Sequence, residues 1–147
     1  MNFCFICSDS SIDVAWNVFL ERINQKKWPI YDKTRNKELI KKNDRIIFYI
    51  AGKNEFAKNF VGSAKVEGSI NMNSSSEEQR FIEKKSYIYE YIKLENIKKF
   101  EKKINIYSVL DKLDFIKYKA NYGLNLQGGC NVIDDKDYDL IIQQSYY

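Results

Sequence analysis

Residues 45–68 spell a β-hairpin. The apolar run RIIFYIA (45–51) reads as a central strand, GKNEFAKN (52–59) as its connection, and FVGSAKVEG (60–68) as the return strand. Gly62 and Ala64 are small enough to let a neighbouring backbone come close. Around this hairpin no β-α-β unit repeats, which argues against a doubly wound parallel sheet. NFCFIC (2–7) reads as a short buried strand. Ser8, Asp9, Ser10 and Ser11 then supply turn and capping residues for a helix over about 11–24, with Ile12, Ala15, Trp16, Phe19, Leu20 and Ile23 on its core face. Pro29 breaks continuity after Lys27, and a short helix or turn covers 34–42. SINMNSSSEEQ (69–79) reads as a polar loop, SYIYEYIKL (86–94) as a strand, and 95–122 as a Lys-rich link followed by partly helical chain. Gly128-Gly129 marks a turn before a short strand. DDKDYDLIIQQ (134–144) closes the chain as a helix with Asp134 as N-cap. The expected architecture is α+β: a small, mostly β, barrel-like domain with flanking helices. At 147 residues and 44% hydrophobic, the chain has material for one domain, 1–147, and its core.

The side-chain inventory offers catalysis little. There is no His, so Ser-His-Asp and Cys-His triads and His-ligated zinc are excluded. Cys4 and Cys7 have CxxC spacing, but on a strand positions three apart face opposite sides, and no second CxxC exists. Asp134-Asp135 opens a helix and Glu77-Glu78 lies in the polar loop, with no partner to tune either pair. Gly128-Gly129 lacks the pattern of a phosphate loop. The expectation is a protein that is not an enzyme and uses neither metal nor cofactor. MNFCFICSDS lacks the pattern of a signal peptide, and no run is long enough to span a bilayer. A cytoplasmic protein with reduced thiols and no membrane partner is expected.

Charge is unevenly placed. Eleven basic and four acidic residues between Lys26 and Lys65 leave net +7 there, so the rest of the +4 chain sums to −3. Such a segment can be the footprint of a polyanion. Within it, KKWPIYD (26–32) sets Trp28 directly before the only Pro, flanked by charge. A planar guest stacking on an indole open to solvent would explain that placement. Tyr31, Phe60, Tyr87 and Tyr89 are further candidate aromatics, because base stacking contributes about 1–3 kcal/mol per base and tolerates sequence variation. Lys33, Arg35, Lys41, Lys42 and Arg45 are candidates for backbone phosphates.

The order of these elements resembles the EVE-domain family, which is PUA-like and related to YTH readers of methylated adenine. The resemblance rests on Lys42-Asn43-Asp44-Arg45-Ile46-Ile47-Phe48-Tyr49, on Phe60-Val61-Gly62-Ser63-Ala64-Lys65-Val66, on Asp134-Asp135-Lys136-Asp137-Tyr138-Asp139-Leu140-Ile141, and on LDKLDFIKYKANYG. It implies a PUA-like barrel flanked by helices, with a pocket at one end. Carried onto this chain, Trp28 would stack on a flipped base, and Ser8 or Asp9, after Cys7, would hydrogen-bond its edge. Tyr89, with Tyr87, would stand at a second cage position. Two departures bear on this: Asn43 stands where the family usually has Gly, and the second cage aromatic is Tyr rather than Trp. The implied partner is nucleic acid, RNA or DNA, carrying a base that could be modified. A free nucleotide or nucleoside in the same pocket is the alternative.

Overall fold

The computed structural model describes residues 1–71, 81–83 and 86–146. Seven strands form one curled sheet: β1 (Asn2–Cys7), β2 (Lys27–Tyr31), β3 (Arg45–Ile50), β4 (Asn59–Asn71), β5 (Phe81–Glu83), β6 (Ser86–Asn105) and β7 (Cys130–Ile133). Their order is β2-β6-β4-β3-β1-β7, with β5 on β6. The helices are α1 (Ala15–Gln25), α2 (Ile106–Val109) and α3 (Asp135–Gln144), with short 3-10 turns between. None of these helices is long and apolar enough to cross a membrane.

The hairpin of β3 and β4 sits mid-sheet, Ile46 opposite Ala64 and Phe48 opposite Gly62. β1 joins β3 in parallel, Asn2 opposite Arg45 and Cys7 opposite Ile50. Alternation along these strands feeds two cores. Phe3, Phe5, Ile46 and Phe48 face one side, where Phe19 and Ile23 of α1 cover them. Cys4, Ile47 and Tyr49 face the other, under Ile106 of α2 and Tyr138 and Ile141 of α3. Cys4 and Cys7 thus fall in different cores, as their spacing requires, and burial pushes the Cys7 thiol up to about 11.

Several local expectations differ from the structure. β2 occupies KWPIY, which reads from the sequence as a bend. It pairs with β6 as the outer strand of the sheet, where a Pro is tolerated because only one side of the ladder is used. β6 runs through the expected Lys-rich link to Asn105. Register shifts and a positive φ at Asn96 bend this 20-residue strand round the sheet. Of the expected loop at 69–79, residues 69–71 belong to β4 and 72–79 lie outside the described residues. Asn43 adopts φ +74, the conformation for which Gly is usual and which Asn tolerates best among the rest, so the departure from the family pattern leaves the turn intact.

Gly62 carries the tightest strand contact. A Cβ built there would lie 2.6 Å from the backbone oxygen of Lys98 on β6. Gly62→Ala is expected to destabilise the fold by about 1–3 kcal/mol, because neither backbone can yield without breaking the ladder. An unchanged urea midpoint would contradict this.

Candidate binding cavity at the open seam of the sheet

The sheet does not pair β1 with β2. In the gap between them lies a cavity of about 280 Å³. Ile6 and Ser8 reach it from β1 and its end, Trp28 to Tyr31 from β2, Arg22 from α1, and Gly129 from the turn before β7. The seam is closed around it by hydrogen bonds from Ile6 N to Gly129 O at 2.9 Å, Arg35 N to Gly128 O at 2.9 Å, and Asn36 Nδ2 to Cys130 O at 3.1 Å. Positive φ at Gly128 and Gly129 shapes that turn.

Trp28 is at this cavity but its indole is not open to solvent. It is 2% exposed. Phe48 stacks on it at 4.9 Å between ring centres, and the Arg22 guanidinium carbon lies 4.6 Å from the ring centroid. With Phe48, Arg22, Phe5 and Phe19 around it and so little of it exposed, the ring is not free to act as an open stacking plate. The reason is topological: as a residue of β2, Trp28 points into the core that α1 covers, beside Phe5 and Phe19. It forms the floor.

Arg22 is the charged lining residue that no sequence pattern singles out. Its contacts are long: 3.5 Å to Tyr31 Oη and 4.0 Å to Cys7 Sγ, besides the indole. Among the described residues it forms no ion pair. A guanidinium has five N–H donors, so most of Arg22's capacity is unspent at the cavity wall. In the sequence it looks like an ordinary cation in the last turn of a helix, where the dipole favours one. Only the fold shows that α1 turns this residue onto Trp28.

Ser8 is exposed at the mouth, and its hydroxyl has no hydrogen-bond partner among the described residues. Asp9 also lines the mouth, but its carboxylate is committed. Oδ1 accepts from Ala15 N at 2.8 Å, and Oδ2 accepts from Asn54 Nδ2 at 2.8 Å and from Lys53 N at 3.5 Å. The Ala15 amide above all, helped by Asn54 and Lys53, holds the carboxyl below its usual range. Asp9 therefore ties the end of β1 to the start of α1 and to the β3–β4 connection. The expected serine cap is absent; the helix starts at Ala15, later than position 11, because Ser10 draws Ile12 and Asp13 into a turn.

A depressed folded-state pKa stabilises the fold above the ordinary aspartate value, about 3.9, and that contribution is lost as pH falls through the folded value. Asp9→Asn is expected to lower thermal stability at neutral pH and to flatten its decline below about pH 4. A melting curve with the wild-type acid dependence would contradict this.

The other expected site residues lie elsewhere. Phe60 is fully buried against Tyr49 in the second core. Tyr89 is 45% exposed with Lys37 Nζ 5.6 Å from its ring, and neither it nor Tyr87 lines the cavity. Tyr87 lies opposite the rim through its backbone, which bonds Asp32. The basic candidates divide. Lys33 and Arg35 are exposed and flank the cavity-lining Thr34, and Arg35 packs over Gly128. Lys41, Lys42 and Arg45 stand at the opposite end of the β1–β3 pair, roughly 15–20 Å along the strands. There Arg45 binds Asn2 at 2.8 Å and Asp135 at 3.1 Å and lies over Tyr138. On that side Asp114, Asp134 and Asp137 bring their oxygens close together. Asp137 accepts the amides of Asp114 and Phe115, Asp134 caps α3, and Asp114 pairs with Lys136.

The sequence profile described as "EVE domain" matches residues 4–144. Comparison with curated protein sequences finds no match. Among solved structures, the N-terminal domain of Staphylothermus marinus McrB is similar at a TM-score of 0.63 and 14% identity, covering 97% of this chain and 93% of that one. Protein Atu2648 from Agrobacterium tumefaciens gives 0.63 and 11%, covering 98% and 92%. Human THYN1, solved in complex with 5-methylcytosine-containing DNA, gives 0.61 and 11%, covering 99% and 98%. At these identities the likeness is one of fold.

Proposed function

The chain belongs to the EVE domain family, and from that premise we propose that its seam cavity holds one unpaired or flipped nucleobase of a nucleic acid. The observation that carries this reading is Arg22: a guanidinium without an ion-pair partner among the described residues, held against a buried indole at the wall of a small cavity. At about 280 Å³ the cavity falls just under the usual range of about 300–1,000 Å³ for small-molecule sites. That suits one heterocycle rather than a whole nucleotide. Flipped bases are read by hydrogen bonds to their polar edge and by apolar contact with their faces. Here Arg22 donates to a carbonyl or ring-nitrogen acceptor, the Ser8 hydroxyl takes a second polar atom, and Ile6, Pro29 and Tyr31 supply the walls. The cage is then one of apolar walls over a tryptophan floor, not two open aromatic plates. Lys33 and Arg35 at the rim hold the flanking phosphates. The chain acts as a binding module and not as an enzyme. Its three free, buried cysteines suit a reducing compartment such as the cytoplasm.

The fold is shared with a THYN1 structure holding 5-methylcytosine DNA, so a methylated cytosine is the first base to try. A methyl group alone adds about 0.8 kcal/mol of burial, roughly fourfold in affinity, so methylation tunes binding while Arg22 and Ser8 provide most of it. The test is titration of labelled single strands, DNA and RNA, with and without one modified base, at several salt concentrations. Micromolar or tighter binding is expected, with log affinity falling by about 0.7 per phosphate contact for each unit of log salt. Failure of every strand to bind at low salt would overturn the proposal. Stabilisation by mononucleosides, with no salt dependence for the strands, would assign the cavity to a free small molecule instead.

A further inference from the structure

Ile12 is 93% exposed, while no other large apolar side chain among the described residues exceeds 65%. The sequence pattern assigns it to the core face of a helix; the structure puts it at the tip of a turn. That turn is tightly held. Ser10 N donates to Asp13 O at 2.8 Å, and Ser10 Oγ accepts from Ile12 N at 3.2 Å and Asp13 N at 2.9 Å. Asp13 Oδ1 accepts from Val14 N at 2.8 Å and Asn17 Nδ2 at 2.9 Å. On the other flank Asp9 is bound to Ala15 and Asn54. The turn also belongs to the cavity mouth. Ser8, Asp9 and Ser10 all line it, so the Ile12 backbone hydrogen-bonds directly to a lining residue. A pinned turn thus holds a branched apolar side chain in solvent two residues beyond Ser10, which lines a small polar-edged cavity. That side chain is not buried in the fold, and its backbone bond to Ser10 sets it beside the mouth, where it can meet whatever comes to the cavity.

We propose that Ile12 is a wedge: when a base leaves a duplex for the cavity, Ile12 enters the vacated space in the stack. This inference rests on the cavity taking a base. Apolar side chains, isoleucine among them, insert between base steps and offset the cost of unstacking. A single strand has no paired stack in which the departing base leaves a gap opposite an orphaned partner, so it gains little from a wedge. The pinned turn suits this role because a side chain already fixed in place loses little freedom on insertion. Lys33 and Arg35, beside the cavity-lining Thr34, hold the backbone of the same duplex. The consequence is that this domain draws its base from double-stranded nucleic acid and does not wait for an exposed strand.

The experiment uses a short DNA strand with one central 5-methylcytosine, alone and annealed to its complement, and compares wild-type protein with Ile12→Ser. The substitution is at an exposed position, so an unchanged melting temperature is expected. Duplex affinity should fall roughly tenfold or more, and single-strand affinity should stay within about twofold. With 2-aminopurine next to the methylated base, the unstacking signal of the wild-type complex should be lost in Ile12→Ser. Equal loss on both probes, or no loss on the duplex, would overturn the wedge while leaving the cavity reading intact. If the wild type binds neither probe, both fall together. Single-strand binding that survives Arg22→Ala unchanged removes the cavity reading, and with it the wedge.

Discussion

Trp28→Ala is expected to cost about 3–5 kcal/mol of stability, a large part of what a domain of this size has. The indole is 2% exposed and touches Phe5, Phe19 and Phe48, so its removal leaves a void where β2, α1 and β3 meet. The neighbours are rings on three different elements and cannot collapse together to fill it. Chemical denaturation of Trp28→Ala should show a large drop in midpoint or no folded baseline. A loss below about 1 kcal/mol would mean that the ring is not the floor described here. Loss of ligand binding in Trp28→Ala says nothing about stacking, because the cavity goes with its floor.

Arg22→Ala separates binding from folding. Its contacts at 3.5 and 4.0 Å are too long to hold much of the fold together. Stability should fall by less than about 1 kcal/mol, mostly from the lost cation–π contact. Affinity for a base-bearing strand should fall far more. Hydrogen bonds from a charged donor contribute about 1.5–3 kcal/mol, which converts to roughly 10–150-fold in Kd. Arg22→Lys should fall between, since it keeps the charge and loses the planar fork of donors. The pair of variants thus distinguishes recognition of a base edge from simple attraction to phosphate, for which Lys would serve about as well. Equal affinity of wild type and Arg22→Ala would remove Arg22 from the site.

The strands with plain apolar runs were legible in the sequence. β1, the β3–β4 hairpin and α3 with its Asp134 cap carry their own period and punctuation. The misread elements are those whose local chemistry is overruled by position in the sheet. Pro29 breaks most strands, yet β2 lies at the sheet margin, where one missing donor costs little. Lys98 and Lys99 look like a solvated link, yet β6 carries them as a strand paired with β4. At the helix start, four candidate capping residues in a row hide the choice that Ser10 makes, and spacing alone assigns Ile12 to the core stripe.

The site was half legible for the same reasons. Ser8, Asp9, Trp28 and Tyr31 come together at one cavity. The basic segment, compact in sequence, is split in space: Arg35 is tied to the Gly128 turn, and the chain then runs through the 3-10 turn at Lys37–Leu39 to the start of β3, parting Lys33 and Arg35 from Lys41, Lys42 and Arg45. Arg22 and Gly129 reach the cavity from elements whose approach no local pattern encodes.

Entry of a base into the seam between β1 and β2, where it would meet Arg22, can be followed by nuclear magnetic resonance. The side-chain Nε–H signal of Arg22, assigned by its loss in Arg22→Lys, is followed as a short strand with one 5-methylcytosine is added. This signal is expected to shift and sharpen together with the Ser8 and Gly129 amides, saturating at the affinity measured by titration. Saturable binding that moves only signals from the Lys41–Arg45 end of the sheet, with Arg22 unmoved, would contradict it.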